Sequence, residues 1–213
     1  MSRKELQIKI CGMKDPFNLE AVCRLLPDFI GYIFYPRSKR FVGAKPDPAL
    51  FTLPPEGIKK VGVFVNADIA EISQAFKSYG LDLVQLHGQE TAGECKELKS
   101  RGIPILKALD PFLASGLVER YRDCVDLLLF DTPDPAHGGT GRKFDWTVLE
   151  PLRLDLPFLI GGGVGPEDAK SLKEMSQPAL AGVDVNSRFE EAPGLKKVAL
   201  LEEFIQQIRK KDL

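Results

Sequence analysis

The chain has 213 residues, of which 44% are hydrophobic and 28% charged, and its formal net charge is -1. That length can bury a sizeable core and usually makes one domain, while the near-neutral balance leaves no electrostatic footprint for nucleic acid or an anionic membrane. No apolar run reaches the ~18 residues that a membrane span needs, the opening "MSRKELQIKICG" has no signal-peptide apolar region, and the four widely spaced cysteines (Cys11, Cys23, Cys95, Cys124) form no CxxC pair. A cysteine pattern of that kind points away from a zinc site or disulfide scaffold and toward a reducing cytoplasm.

In chain order the apolar, β-branched runs are "QIKIC", "FIGYIF", "KKVGVFV", "LVQLHG", "PILKAL", "VDLLLFD", "PFLIGG" and "LAGVDV". They are nearly continuous in hydrophobicity, as strands covered on both faces should be. Helical spacing fills the gaps between them. "DIAEISQAFKSYG" places Ile69, Ile72, Ala75 and Phe76 on one face and stops at Gly80. "GLKKVALLEEFIQQIRKK" is the longest such segment, with Leu195, Val198, Leu201, Phe204, Ile205 and Ile208 expected inward and a basic end suited to the helix dipole. Strand starts recur every ~22–30 residues, the length of a βα unit. Eight such units over residues 1–213 predict a single (β/α)8 TIM barrel domain. The competing arrangement is an open doubly wound sheet, which usually carries its Gly-rich phosphate turn after the first strand. Here that strand ends in "CGMK" and the Gly-rich turns come late.

Barrel enzymes gather their functional residues at the carboxyl ends of the strands and often bind phosphate in the loops after strands seven and eight. "IGGG" (160–163) follows the seventh run, where glycines let backbone N–H groups approach an anion. "HGGTGRKFDW" follows the sixth and reads either as a surface loop or as one that closes over substrate. The strand-end candidates are Cys11, Arg40, His87, Asp131 and Asp184. A cysteine is more often an inert buried thiol, but Cys11 stands at a strand end before Gly12. Asp131, directly after "LLLF", must be paired, capped or functional. His87 is either a packing histidine or a site residue, and Arg40 either a solvated charge or a ligand.

The segments "KICGMK", "FYPRSKR", "VGVFVN", "VQLHG", "LLLFDT", "GGTGRKFDW", "IGGGVGPED" and "VDVNSRFEEAPGLKK" resemble, in order and spacing, the phosphoribosylanthranilate isomerases of the tryptophan pathway. The likeness spans essentially the whole chain. It implies an Amadori rearrangement of an aminoaldose phosphate, with Asp131 as the acid that opens the furanose ring and Cys11 as the base that takes the C2 proton. It further implies Arg40 on the anthranilate carboxylate, His87 lining the aryl end, Gly162, Gly163 and Ser187 on the phosphate, and Asp184 near the sugar hydroxyls. The partner implied is a small phosphosugar, with no metal or organic cofactor. The sister aminoaldose isomerase of histidine biosynthesis carries an aspartate where this chain has Cys11, and ribulose-phosphate epimerase needs metal-binding histidines. A phosphosugar-binding barrel without turnover is the reading outside catalysis. One departure stands out: the family usually reads Ser-Gly after the eighth strand, and this chain reads Ser187-Arg188.

Overall fold

A computed structural model describes residues 5–132 and 143–210. Eight parallel strands close into a barrel in sequence order: β1 (Gln7–Ile10), β2 (Phe29–Ile33), β3 (Lys59–Phe64), β4 (Leu83–Leu86), β5 (Ile105–Leu109), β6 (Leu127–Phe130), β7 (Phe158–Ile160) and β8 (Leu180–Val185). Closure is made by β1 on β8, with Gln7 opposite Gly182 and Ile10 opposite Val185. The barrel leaves no edge open, so each of its eight strands has a partner on both sides. Each run read as a strand is one.

The crossovers are helical where the sequence allows it. α1 (Pro16–Cys23) starts on Asp15, whose carboxylate accepts the Asn18 N–H at 2.7 Å, and has Pro16 in its first turn. α2 (Ala49–Thr52) is a single turn, bracketed by Pro46, Pro48, Pro54 and Pro55, residues that start helices or stop them but do not extend them. α3 (Ile69–Ser78) ends where Gly80 takes φ +56°, and α4 (Ala92–Ser100) opens on a Thr91–Glu94 capping box. α5 (Ala114–Tyr121) and α6 (Ala169–Glu174) each follow a short 3-10 turn, Pro111–Leu113 and Pro166–Asp168. After β8 come a 3-10 turn at Ser187–Phe189, an antiparallel hairpin β9 (Glu190–Ala192) and β10 (Leu195–Lys196), and then α7 (Val198–Arg209).

The hairpin corrects one sequence expectation. Helical periodicity extended through Leu195 and placed it inward; in the structure the helix begins at Val198, Leu195 is exposed and Lys196 is buried. Pairing with β9, bulged between Leu195 and Lys196, sets which side chain faces in.

Two apolar layers result. Ile8, Ile10, Leu19, Val22, Phe158 and Phe204 belong to the large cluster between strands and helices. Phe29, Val61, Leu83, Leu106, Leu129, Leu159 and Ala181 form a separate cluster drawn from seven strands, the packed lumen of the barrel. Strand alternation explains the separation, since successive side chains point to opposite faces. That filled lumen is the platform on which the strand-end residues stand.

Candidate active site

Cys11 follows β1 directly, and its N–H donates to the Val185 carbonyl at 3.0 Å. Its side chain is buried, on the face shared with Lys9 two residues earlier. Gly31 of β2 makes room for it: a Cβ there would lie 2.8 Å from the Cys11 sulfur. Lys9 is wholly buried and its Nζ sits 2.9 Å from Asp184 Oδ1. Burial works against charge on Lys9, but the Asp184 carboxylate and the Cys11 sulfur outweigh it and hold its pKa above the ordinary lysine value. Burial pushes the Cys11 thiol up; Lys9, and more weakly Lys196, pull the other way.

Three strands round the barrel from β1, Asp131 follows β6. Its Oδ1 accepts the Thr132 N–H at 2.8 Å and its Oδ2 lies 3.3 Å from His87 Nε2. His87, after β4, has its Nδ1 2.7 Å from Gln85 Nε2. With the amide nitrogen as donor, Nδ1 accepts, and the proton of a neutral imidazole lies on Nε2, facing Asp131. Asp184 is close enough to Asp131 for their charges to interact. Cys11, Lys9, Asp184, Asp131 and His87 therefore form one continuous electrostatic chain across the strand ends.

Arg40, in the loop after β2, is 7% exposed and not a solvated charge. Its Nε and Nη2 grip Glu190 in a forked pair, with the shortest contact 2.6 Å. The stem of Arg40 runs over Gly12, where a Cβ would lie 2.6 Å from Arg40 Cδ and where φ is +80°. Both the space and the backbone require glycine next to Cys11.

Gly162 and Gly163 take φ +68° and +76°, and a Cβ on Gly162 would meet Thr132 Oγ1 at 2.3 Å. The turn after β7 thus packs against the residue after Asp131, which the short backbone of glycine permits. Ser187 opens the 3-10 turn after β8. Arg188 keeps an ordinary backbone, since Leu26 and Asn66 are the only non-glycine residues with positive φ among the described residues. Its guanidinium pairs with Glu167 at 2.6 Å, joining the turn after β8 to the turn after β7. Residues 137–142 of the "HGGTGRKFDW" stretch lie outside the described residues.

Sequence reasoning passed over Lys9, Gln85, Glu190 and Lys196. Lys9 and Gln85 had a signal: each is a polar residue in an apolar strand, two positions before a candidate. Glu190 and Lys196 had none, because the hairpin that buries them has no periodicity of its own.

A parallel barrel that brings a thiol, a carboxyl group and an arginine to the carboxyl ends of its strands has the build of a (β/α)8 acid–base enzyme. A family model described as N-(5'phosphoribosyl)anthranilate (PRA) isomerase matches residues 8–207, and the chain belongs to that family. It is 43% identical over 208 residues to the N-(5'-phosphoribosyl)anthranilate isomerase of Parabacteroides distasonis, covering 94% of this chain and 92% of the relative. It is 37% identical over 206 residues to that of Phocaeicola vulgatus, covering 96% and 98%. Among solved structures it is similar to the phosphoribosyl anthranilate isomerase of Thermotoga maritima, with TM-score 0.84 and 30% identity over 96% of this chain and 98% of that one. It also resembles, at TM-score 0.80 and 27% identity over 96% and 98%, an isomerase in complex with reduced 1-(o-carboxyphenylamino)-1-deoxyribulose 5-phosphate.

Proposed function

We propose the following roles in the isomerisation of N-(5'-phosphoribosyl)anthranilate to 1-(2-carboxyphenylamino)-1-deoxyribulose 5-phosphate, the reaction of the family to which the chain belongs. Asp131 gives a proton to the furanose ring oxygen, the C1–O bond breaks, and the anthranilate nitrogen lone pair forms the C1=N bond of a protonated Schiff base. Cys11 as thiolate then takes the C2 proton, and the C2–H electrons flow to the nitrogen to give an enolamine. Tautomerisation of the enolamine yields the ketone. The observation that carries the reading is that Cys11 and Asp131 stand on one rim, directly after β1 and β6, and are coupled electrostatically through the Lys9–Asp184 ion pair.

Electrostatics support the order of events. Burial disfavours the Cys11 thiolate, and Lys9 beside it works the other way. The cationic Schiff base that ring opening creates is an additional positive charge beside it, and a nearby cation favours the thiolate. Asp131, once it has given up its proton, is met by the His87 N–H at 3.3 Å.

Arg40 holds the aryl carboxylate. His87 stands at the aryl side of the acid. Gly162, Gly163 and Ser187 supply backbone and hydroxyl donors to the phosphate, and Asp184 faces the sugar. The substrate is thus a small phosphosugar, taken by a single barrel domain in the cytoplasm. Among the described residues no helix is long and apolar enough to cross a membrane. The test is incubation with N-(5'-phosphoribosyl)anthranilate, following the loss of the substrate's fluorescence. Undiminished fluorescence with folded protein would refute the assignment.

A further inference from the structure

Arg40 forms a three-residue cluster with Glu190 and Lys196 of the β9–β10 hairpin. Arg40 donates from Nε to Glu190 Oε1 at 2.9 Å and from Nη2 to Glu190 Oε2 at 2.6 Å. Lys196 Nζ donates to Glu190 Oε1 at 2.7 Å and to Asn186 Oδ1 at 2.6 Å. The Lys196 and Glu190 side chains are 0% and 4% exposed. The Lys196 backbone is itself clamped by α1, where its N–H donates to Asn18 Oδ1 at 2.7 Å and its carbonyl accepts Asn18 Nδ2 at 2.9 Å. Gly194 N–H adds a bond to Glu190 at 3.0 Å. The Glu190 carboxyl has to overcome burial, and the Arg40 and Lys196 cations do so, holding it below the usual carboxylate range.

A guanidinium offers two forked edges to carboxylates. Glu190 occupies the Nε/Nη2 edge, which leaves the Nη1/Nη2 edge as the one that a second carboxylate could fork onto. An arginine already paired with a glutamate is neutral as a unit and gains little from a second carboxylate. A third, fully buried charge is costly to desolvate, and an apolar side chain would fill the hairpin without that cost. We infer that Glu190 and Lys196 are positioning residues for recognition of the substrate's aryl carboxylate. Glu190 fixes which edge of Arg40 is presented, and Lys196 leaves the cluster with the one net positive charge that a single bound carboxylate balances. This rests on the assignment of Arg40 to that carboxylate.

Lys196 also faces Cys11, so the test reads binding rather than turnover. The probes are the reduced product analogue and the same compound lacking the ring carboxylate; the readout is the ratio of their dissociation constants. Inorganic phosphate affinity and circular dichroism report folding. Lys196→Met, with net charge zero behind the site, should cut the ratio about tenfold, and Lys196→Met/Glu190→Gln, which returns the charge to plus one, should recover it to within about threefold of wild type. Equal weakening of both analogues by Lys196→Met, or a double variant less selective than the single one, would overturn the inference. Should Lys196→Met not fold, the double variant is compared directly with wild type, and a collapsed ratio refutes the charge argument. Arg40→Ala separates the two claims. If it leaves the ratio intact, the assignment of Arg40 fails; if it abolishes the ratio while Lys196→Met does not change it, the role of Lys196 fails.

Discussion

Cys11 sits under opposing influences, with burial raising its pKa and Lys9 beside it favouring the thiolate. Cys11→Ala is expected to lower kcat by roughly 10²–10⁴-fold, the usual worth of a general base, while the affinity for the reduced product analogue stays close to wild type. Lys9→Met removes a cation from the thiolate's side and therefore shifts the thiol further up. The ultraviolet absorbance of the thiolate, taken as the difference from Cys11→Ala, should then appear at higher pH in Lys9→Met than in wild type. No shift would remove Lys9 from the tuning of the base. Asp131→Asn should be at least as damaging as Cys11→Ala, because an amide cannot protonate the ring oxygen; measurable ring opening by the variant would give that role to another group. Arg40→Ala takes away a contact present in both ground and transition states, so it should mainly raise KM. An equal fall in kcat at unchanged KM would instead place Arg40 in the chemistry.

At the scale of elements, the turns after β7 and β8 are tied to each other by the Arg188–Glu167 pair. Gly162 has both a left-handed backbone and no room for a Cβ, since Thr132 stands in the way. Gly162→Ala should lose ~1–2 kcal/mol from backbone strain alone, more from displacing Thr132, and should weaken inorganic phosphate as an inhibitor. A variant with wild-type Tm and an unchanged phosphate inhibition constant would contradict both points. Arg188 is not strained, and it spends its charge on Glu167 across the two turns. Such an exposed pair is worth about 0–1 kcal/mol, so Glu167→Gln should leave stability nearly untouched while releasing the guanidinium toward the phosphate. Phosphate inhibition should then tighten in Glu167→Gln and loosen in Arg188→Gly. The reverse order would mean that Arg188 obstructs the site. The hairpin of β9 and β10 teaches a related lesson. Helical spacing read through Leu195 failed because a bulged two-strand pairing, set by the partner strand, decided which neighbour faced inward.

Across the whole molecule, buried charge clusters tie the distant parts of the barrel together, and they make stability depend on pH. Glu190 has its pKa depressed in the folded state by Arg40 and Lys196 against the pull of burial. Its contribution is therefore present above the ordinary glutamate value, ~4.3, and is lost as pH falls through the lower folded value. The Tm advantage of wild type over Glu190→Gln should shrink across that window, and an advantage unchanged by acid would show that Glu190 does not titrate with folding. The eight strands, the helix ending before Gly80 and the body of the last helix were legible in the sequence because apolar runs and 3.6-residue spacing are local properties of the chain. The late glycines and the strand-end positions of Cys11, His87, Asp131 and Asp184 were legible for the same reason, because the end of an apolar run marks the rim of the barrel. What lay beyond reach was every pairing between residues far apart in sequence: Lys9 with Asp184, His87 with Asp131, and Arg40 with Glu190. Those contacts exist only once β1 closes on β8 and the hairpin folds back over the loop after β2. The sequence by itself determined the barrel and the residues along its rim. Which of those residues share a charge was decided by the tertiary structure, because Coulomb interactions depend on distances that only closure of the barrel sets.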